Sequence, residues 1–368
     1  MKKIVIAPDS FKGTLSAREV AEIVSSAAHD AISDVQTVLI PIADGGEGTV
    51  DAFGAEHIKC VVTGPNQNRA DSYYGILPDG TAVIEMAAAA GLPMANPLSA
   101  KATTTFGVGE LIMNALDNGV TNFIVGLGGS ATNDCGCGMA AACGVSFFDQ
   151  KGNKFIPVGE SLSKIAHIDI STRDKRISNC TFTAMCDIDN PLFGKNGAAY
   201  VFAPQKGATP EDVQMLDEGL KHISDIIKKD IGVDISNLSG AGAAGGCGAA
   251  VTAFFGGKLK RGIDVVLDQN NFNALLDNAD MVVTGEGKFD SQTAGGKAIS
   301  GIAARTKAKN IPLVVLCGAA EEDESAYEMG VTSVFSIQRK AQPFEIAKGL
   351  NAPYLYRTAY NMFKLFNI

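Results

Sequence analysis

The sequence predicts an α/β protein in two parts: a discontinuous Rossmann-like domain with a parallel sheet, built from both chain ends, and a large α/β domain inserted between them. Three observations predict it. Near each end, short apolar runs such as Lys3–Ala7 and Leu313–Cys317 alternate with helix-period segments, as in parallel sheets whose strands are buried on both faces. The middle breaks that rhythm with a meander of short strands. The length of 368 residues exceeds what one core normally serves, so two domains are the default. The expected division is 1–65 with 263–368 for the Rossmann-like domain and 66–262 for the insert, with the site in a cleft between them.

The elements follow in order. Lys3–Ala7 reads as a buried strand. Ser16 caps a helix over Ala17–Ala28, with Glu19 three residues on completing a capping box. Val35–Pro41 is the next strand and Glu47–Phe53 a short helix. Ile58–Thr63, Asp71–Leu77 and Ala82–Met86 form the meander, with a turn at Pro78-Asp79-Gly80. A helix over Phe106–Asn118 precedes the strand Asn122–Val125. Val145–Phe148 and Thr181–Met185 are further strands. Glu211–Lys229 is an amphipathic helix with Val213, Leu216, Leu220, Ile223 and Ile227 on one face. After Gly262 come a strand at Met281–Thr284, a helix at Gly296–Thr306, and strands at Leu313–Cys317 and Thr332–Ile337.

Composition narrows the function. The net charge of −9 and the lack of a long basic run argue against nucleic-acid binding. The apolar run Ile4–Ala7 is cut short by Asp9, too short for a signal-peptide core, and no stretch of 18 apolar residues predicts a membrane span. Eight scattered cysteines read as reduced thiols of a cytoplasmic protein. Cys135 and Cys137 have no second pair to complete a metal site and read as small packing residues.

Glycine is the informative residue. There are 41, where average usage of about 7% would give about 26, and they cluster in three loops. These are Gly126–Gly138, Ser239–Gly248 and Thr284–Lys297. A glycine-rich turn between strand and helix presents backbone N–H groups to an anion. Glycines that merely permit close packing would give the same pattern. Gly126-x-Gly128-x-x-Ala131 also fits a dinucleotide fingerprint, with Asp149 closing the next strand about 20 residues on, so an NAD-dependent oxidoreductase of a small hydroxy acid is an alternative.

The acids favour phosphoryl chemistry. Asp9-Ser10-Phe11-Lys12 follows the first strand, Asp44-Gly45-Gly46-Glu47 the second, Asp187-Ile188-Asp189 an apolar strand, and Glu286 and Asp290 another. Ligands of α/β sheets gather at such strand ends. Carboxylates beside phosphate loops suit Mg²⁺–nucleotide chemistry. Lys12 and Lys297 are expected to bind anions. If extended geometry continues past Met185, Asp187 and Asp189 face one side together. Two close carboxylates then need a cation between them, or one serves as a base. Asp189 is expected as the base and Asp187 as metal or substrate ligand, against a plain Asx turn at Asp189-Asn190-Pro191.

Eight stretches in order, IAPDSFKGTLSA, PIADGGEGT, GLGGSATND, CDIDNPL, NGAA, PQKGA, GAGAAGG and GEGKFDSQTAGGK, resemble the bacterial glycerate kinase family from Ile6 to Lys297. The resemblance implies phosphorylation of D-glycerate by ATP with Mg²⁺, generally to 2-phosphoglycerate; 3-phosphoglycerate is the alternative product. It implies Lys12, Lys297, Asp187 and Asp189 as catalytic. Substrate and phosphate contacts would come from Asp9, Ser10, Asp44, Gly45, Gly46, Gly128, Gly129, Ser130, Asn133, Asp134, Gly242, Gly245, Glu286, Asp290, Ser291, Gln292 and Thr293, with Asp187 and Asp290 as metal ligands. The expected partners are D-glycerate and ATP, without nucleic acid or membrane, and a second copy in a homodimer. The chain departs from the family at Cys135 and Cys137, where small residues are usual, and this thiol pair predicts sensitivity to oxidation.

Overall fold

A computed structural model of the chain describes residues 2–43, 45–289, 297–321, 324–340 and 343–366. The chain is α/β, and it divides into two compact units: residues 1–43 with 262–368, and residues 44–261.

The first unit carries a five-stranded parallel sheet ordered β14-β13-β12-β1-β2. Here β1 is Lys3–Ile6, β2 Gln36–Leu39, β12 Met281–Phe289, β13 Leu313–Ala320 and β14 Ser333–Ser336. The register pairs Ile4 with Met281 and with Thr37. On one face the helix Ala17–Ala31 meets the C-terminal helix Asn351–Phe366, so that Val20, Val24, Leu355 and Phe363 share a core with Ile4 and Val314. The predicted capping box is present, with Ser16 and Glu19 each bonding the other's backbone N–H. The helix runs three residues past its expected end.

The second unit carries a six-stranded mixed sheet ordered β11-β10-β6-β5-β4-β3. Its strands are β3 Glu56–Thr63, β4 Arg69–Ile76, β5 Ala82–Glu85, β6 Asn122–Gly126, β10 Thr181–Met185 and β11 Lys258–Lys260. The meander β3-β4-β5 is antiparallel, and β5, β6, β10 and β11 are parallel. A small antiparallel sheet, β7 Ser146–Phe148, β8 Lys154–Phe155 and β9 His167–Asp169, lies outside this frame. The first domain boundary therefore differs from residue 65. All eight residues of β3 pair with β4, which carries the preceding segment into the second unit. Among the described residues no helix is long and apolar enough to cross a membrane.

Candidate functional site

In the first unit, the connections from β1 to β2 and from β12 to β13 run in opposite directions along the sheet, so the strand order reverses between β1 and β12. Such a switch point opens a crevice at the carboxyl ends of the strands. A cavity of about 720 Å³ lies there, with Asp9, Ser10, Lys12, Glu286, Gly318 and Asn351 in its wall. The β1 loop is held by backbone hydrogen bonds, to β12 and within itself. Asp9 N–H donates to Gly285 O at 2.8 Å, and Phe11 N–H to Leu15 O at 2.9 Å. Gly13, at φ +77°, lets the turn close, and Lys12 stands exposed at its head. One Asp9 oxygen accepts Ser10 N–H at 2.6 Å. Asn351 reaches in from the C-terminal helix to donate to Thr14 Oγ1 at 3.1 Å.

In the second unit, a cavity of about 230 Å³ lies at the carboxyl ends of β6 and β10. Its wall joins the turn Leu127–Ser130, the segment Met185–Ile188, Gln205, Lys206, and Ala243–Ala244. Among the residues singled out from the sequence, this brings Gly128, Gly129, Ser130 and Asp187 together.

The glycines around it have other tasks. A Cβ on Gly126 would sit 2.5 Å from Gly45 O, and one on Gly128 2.6 Å from Gly46 Cα. The Gly128 N–H already donates to Gly45 O at 2.9 Å, so it is not presented to an anion. The helix that should follow a dinucleotide fingerprint starts only at Cys137, and Asp149 turns to Lys151 and Asn153 in an exposed turn. The anion in the Gly126–Gly138 loop is the chain's own. Asp134 is fully buried, and its oxygens accept from Thr105 N–H and Oγ1 (both 2.8 Å), Gly136 N–H (3.1 Å) and Gly138 N–H (3.2 Å). Burial raises its pKa, and these donors oppose the rise. The Asp134 carboxylate thus ties the loop to the start of the helix Phe106–Asp117, and the contact to a ligand expected of it is replaced by bonds to the chain.

The loop Ser239–Gly248 packs against the same segment. Ala244, Gly245 and Gly246 are left-handed, and Gly245 O accepts Cys135 N–H at 3.0 Å. Gly242 N–H donates to Asn190 O at 3.1 Å. Neither glycine lines the cavity; their neighbours Ala243 and Ala244 do. Asn133 is also fully buried and does not line the cavity.

The two acids after β10 separate. The strand ends at Met185, and alternation does not continue past it. Asp187, half-buried, lines the cavity, whereas Asp189 is exposed and accepts from Ser239 Oγ at 2.9 Å. Asp44, Asp290, Ser291, Gln292 and Thr293 lie outside the described residues, as does the side chain of Lys297.

The sequence reading missed two buried charges. Glu85, at the end of β5, accepts Val50 N–H at 2.6 Å and Tyr73 OH at 3.2 Å, and so fixes the helix Thr49–Ala52 behind the Gly45–Gly48 turn. Lys206, only 2% exposed, donates to Ser130 Oγ at 2.7 Å and Thr132 O at 2.8 Å. Cys135 and Cys137 are fully buried, and burial pushes both thiols up, away from the reactive thiolate. That environment opposes the expected sensitivity to oxidation.

A profile of the Glycerate kinase family matches residues 4–367. The chain is 44% identical to a glycerate kinase of Bacillus subtilis (strain 168), with 97% of this chain and 96% of that protein covered. It is 44% identical to the glycerate 2-kinase of Escherichia coli (strain K12), with 91% and 90% covered. A crystal structure described as "putative glycerate kinase 2 from Salmonella typhimurium LT2" superposes with a TM-score of 0.90 at 43% identity, covering 99% of this chain and 98% of that one.

Proposed function

The chain belongs to the glycerate kinase family, and from that premise we propose that it transfers the terminal phosphoryl group of ATP to the C2 hydroxyl of D-glycerate, with Mg²⁺, giving 2-phosphoglycerate. The observation that carries this reading is the 230 Å³ cavity with Asp187 in its wall beside the Leu127–Ser130 turn. It is smaller than the roughly 300–1,000 Å³ of drug-sized sites, which suits a three-carbon acid. The relative named glycerate 2-kinase supports the C2 product.

Asp187 is the general base. Its carboxylate takes the proton of the glycerate hydroxyl as that oxygen attacks phosphorus. Asp189, the base expected from the sequence, lies outside the cavity wall. The nucleotide occupies the 720 Å³ cavity of the first unit, a volume within the range of larger ligands. There Lys12 neutralises phosphate charge, and Lys297 and the Ser291–Thr293 stretch serve the same ligand. Glu286 and Asp9 are the carboxylates of that wall.

Among the described residues, no group of three His, Cys, Asp or Glu could by itself hold a metal. That donor set fits magnesium arriving with ATP, since Mg²⁺ commonly takes one or two carboxylates plus phosphate oxygens and water. With Asp187 committed to the proton, Asp290, expected from the sequence as a metal ligand, would be the carboxylate left for it. When bound, it neutralises charge on the transferring group. The eight cysteines, all thiols, support a cytoplasmic setting.

With D-glycerate, ATP and Mg²⁺ the protein is expected to release ADP, to stop when EDTA removes the metal, and to resume when Mg²⁺ is restored. Turnover that survives complete chelation would overturn the metal-dependent reading.

A further inference from the structure

Lys206 is built into the interior by backbone on both sides. It ends the single turn Pro204–Lys206, and Gly207 follows at φ +84°, a conformation other residues rarely adopt. The Lys206 carbonyl accepts Ala100 N–H at 2.8 Å, and Ala208 N–H returns to Ala203 O at 3.1 Å. The Cα is therefore fixed, and the side chain runs into the wall of the 230 Å³ cavity.

The charge at its end is poorly matched by the chain. An ammonium has three N–H donors, and two go to neutral oxygens, Ser130 Oγ and Thr132 O. Among the described residues no carboxylate forms an ion pair with it within 4.0 Å. Asp134 and Cys247 act on it only through longer-range charge, and the Asp134 oxygens are committed to the N–H groups around them. A buried ammonium without a counter-charge is strongly disfavoured. Burial accordingly lowers its pKa to about 8. Such a group in a cavity wall suits an anionic ligand.

We propose that Lys206 binds the carboxylate of D-glycerate in this cavity, its ammonium supplying the hydrogen bond and the counter-charge that orient the substrate. The inference rests on the glycerate kinase reading and adds the residue that selects an acid over a neutral polyol. With the carboxylate on Lys206, the C2 hydroxyl on the adjacent carbon is left for the part of the wall that carries Asp187. A phosphate group could satisfy the same chemistry, and the experiment separates the two sources.

The test compares the whole protein with Lys206→Met by thermal unfolding and by steady-state kinetics. Three ligands are used singly: D-glycerate, glycerol and ATP-Mg²⁺. The wild type is expected to be protected by D-glycerate and not by glycerol. In Lys206→Met that protection disappears and KM for D-glycerate rises by roughly 10- to 100-fold, the loss typical of a hydrogen bond to a charged group. Protection by ATP is kept, and the variant unfolds at or above the wild-type temperature, because an unmatched buried charge has gone. Unchanged glycerate binding in a folded variant would overturn the inference while leaving the kinase reading intact. Loss of ATP protection instead would assign the lysine to phosphate and overturn it equally. Failure of the wild type to bind D-glycerate at all would remove both. If the variant does not fold, the wild type still decides. The ammonium is the binding form, so affinity for D-glycerate should be constant below about pH 8 and fall by up to tenfold per unit above it. A flat profile through pH 9.5 would contradict the inference. Asp134, Cys247, Cys186 and Asp187 are the other titratable groups facing this region.

Discussion

Exchanging Asp187 for asparagine is expected to lower kcat by about 10²- to 10⁴-fold, the usual loss when a general base is removed. The change keeps the size of the side chain and one hydrogen-bond-accepting oxygen, and removes the negative charge and with it the ability to take a proton. The backbone should not respond. The segment is held by Cys186 N–H on Lys260 O at 2.8 Å and by Cys186 Sγ on Ile188 O at 3.4 Å. Asp189→Asn is the comparison. Asp189 is exposed and bonded to Ser239 outside the cavity, so its loss should be at most a few-fold. Steady-state kinetics on both variants, each checked for native unfolding, decides the matter. A larger loss at Asp189 than at Asp187 would return the base to the position first expected of it.

Gly245→Ala carries the largest expected effect on stability. Gly245 has φ +66°, and a Cβ there would press into the Thr132 carbonyl oxygen and stand 2.6 Å from Asn133 Cα. Both obstacles are backbone, so no rotamer relieves them. Strain of roughly 1–2 kcal/mol for the left-handed alanine adds to roughly 1–3 kcal/mol for overpacking. The total, about 3 kcal/mol, should appear as a lower denaturant midpoint. Gly232→Ala separates the two contributions, because Gly232 has φ +81° with nothing within 4 Å of the new methyl group. Equal midpoints for the two variants would mean that the loops around Cys135 and Gly245 are not packed as described.

Much of the fold was legible because burial on two faces leaves a strong local mark. The apolar runs Ile4–Ile6 and Leu313–Cys317 are central strands, and Ser16 with Glu19 starts a helix where the capping chemistry requires one. Other elements left weaker marks. The strand Lys258–Lys260 is three residues long with a lysine at each end, and only its pairing with β10 makes it a strand. The helix Asn351–Phe366 was legible and passed over: Leu355, Ala359, Met362 and Phe363 recur at helical spacing and are its buried face.

The site was legible in composition more than in geometry. Glycine, aspartate and lysine do gather at strand ends, yet a glycine does not state what its missing side chain makes room for. At Gly126 and Gly128 it is the Gly45–Gly46 backbone, and at Gly245 it is Thr132. Two of the first loop's glycine N–H groups, those of Gly136 and Gly138, are taken by Asp134, eight residues from its start. Asp187 and Asp189 were paired on the assumption that extended geometry continues, and β10 ends before it can. Lys206 had a faint signal: a lysine between Ala203 and Gly207, with no acid nearby until Glu211, in a stretch too apolar for a solvated face. Its burial depends on contacts with Ala100, Ser130 and Thr132, distant in sequence, and no local pattern carries that.

The central claim is transfer of phosphate to the C2 hydroxyl of D-glycerate, and the product states it directly. Phosphorus-31 NMR of the reaction with D-glycerate, ATP and Mg²⁺, without proton decoupling, should show a new phosphomonoester resonance split into a doublet by the single proton on C2. A triplet from the two protons on C3 would contradict the C2 assignment, and the absence of any new phosphomonoester would contradict the account as a whole.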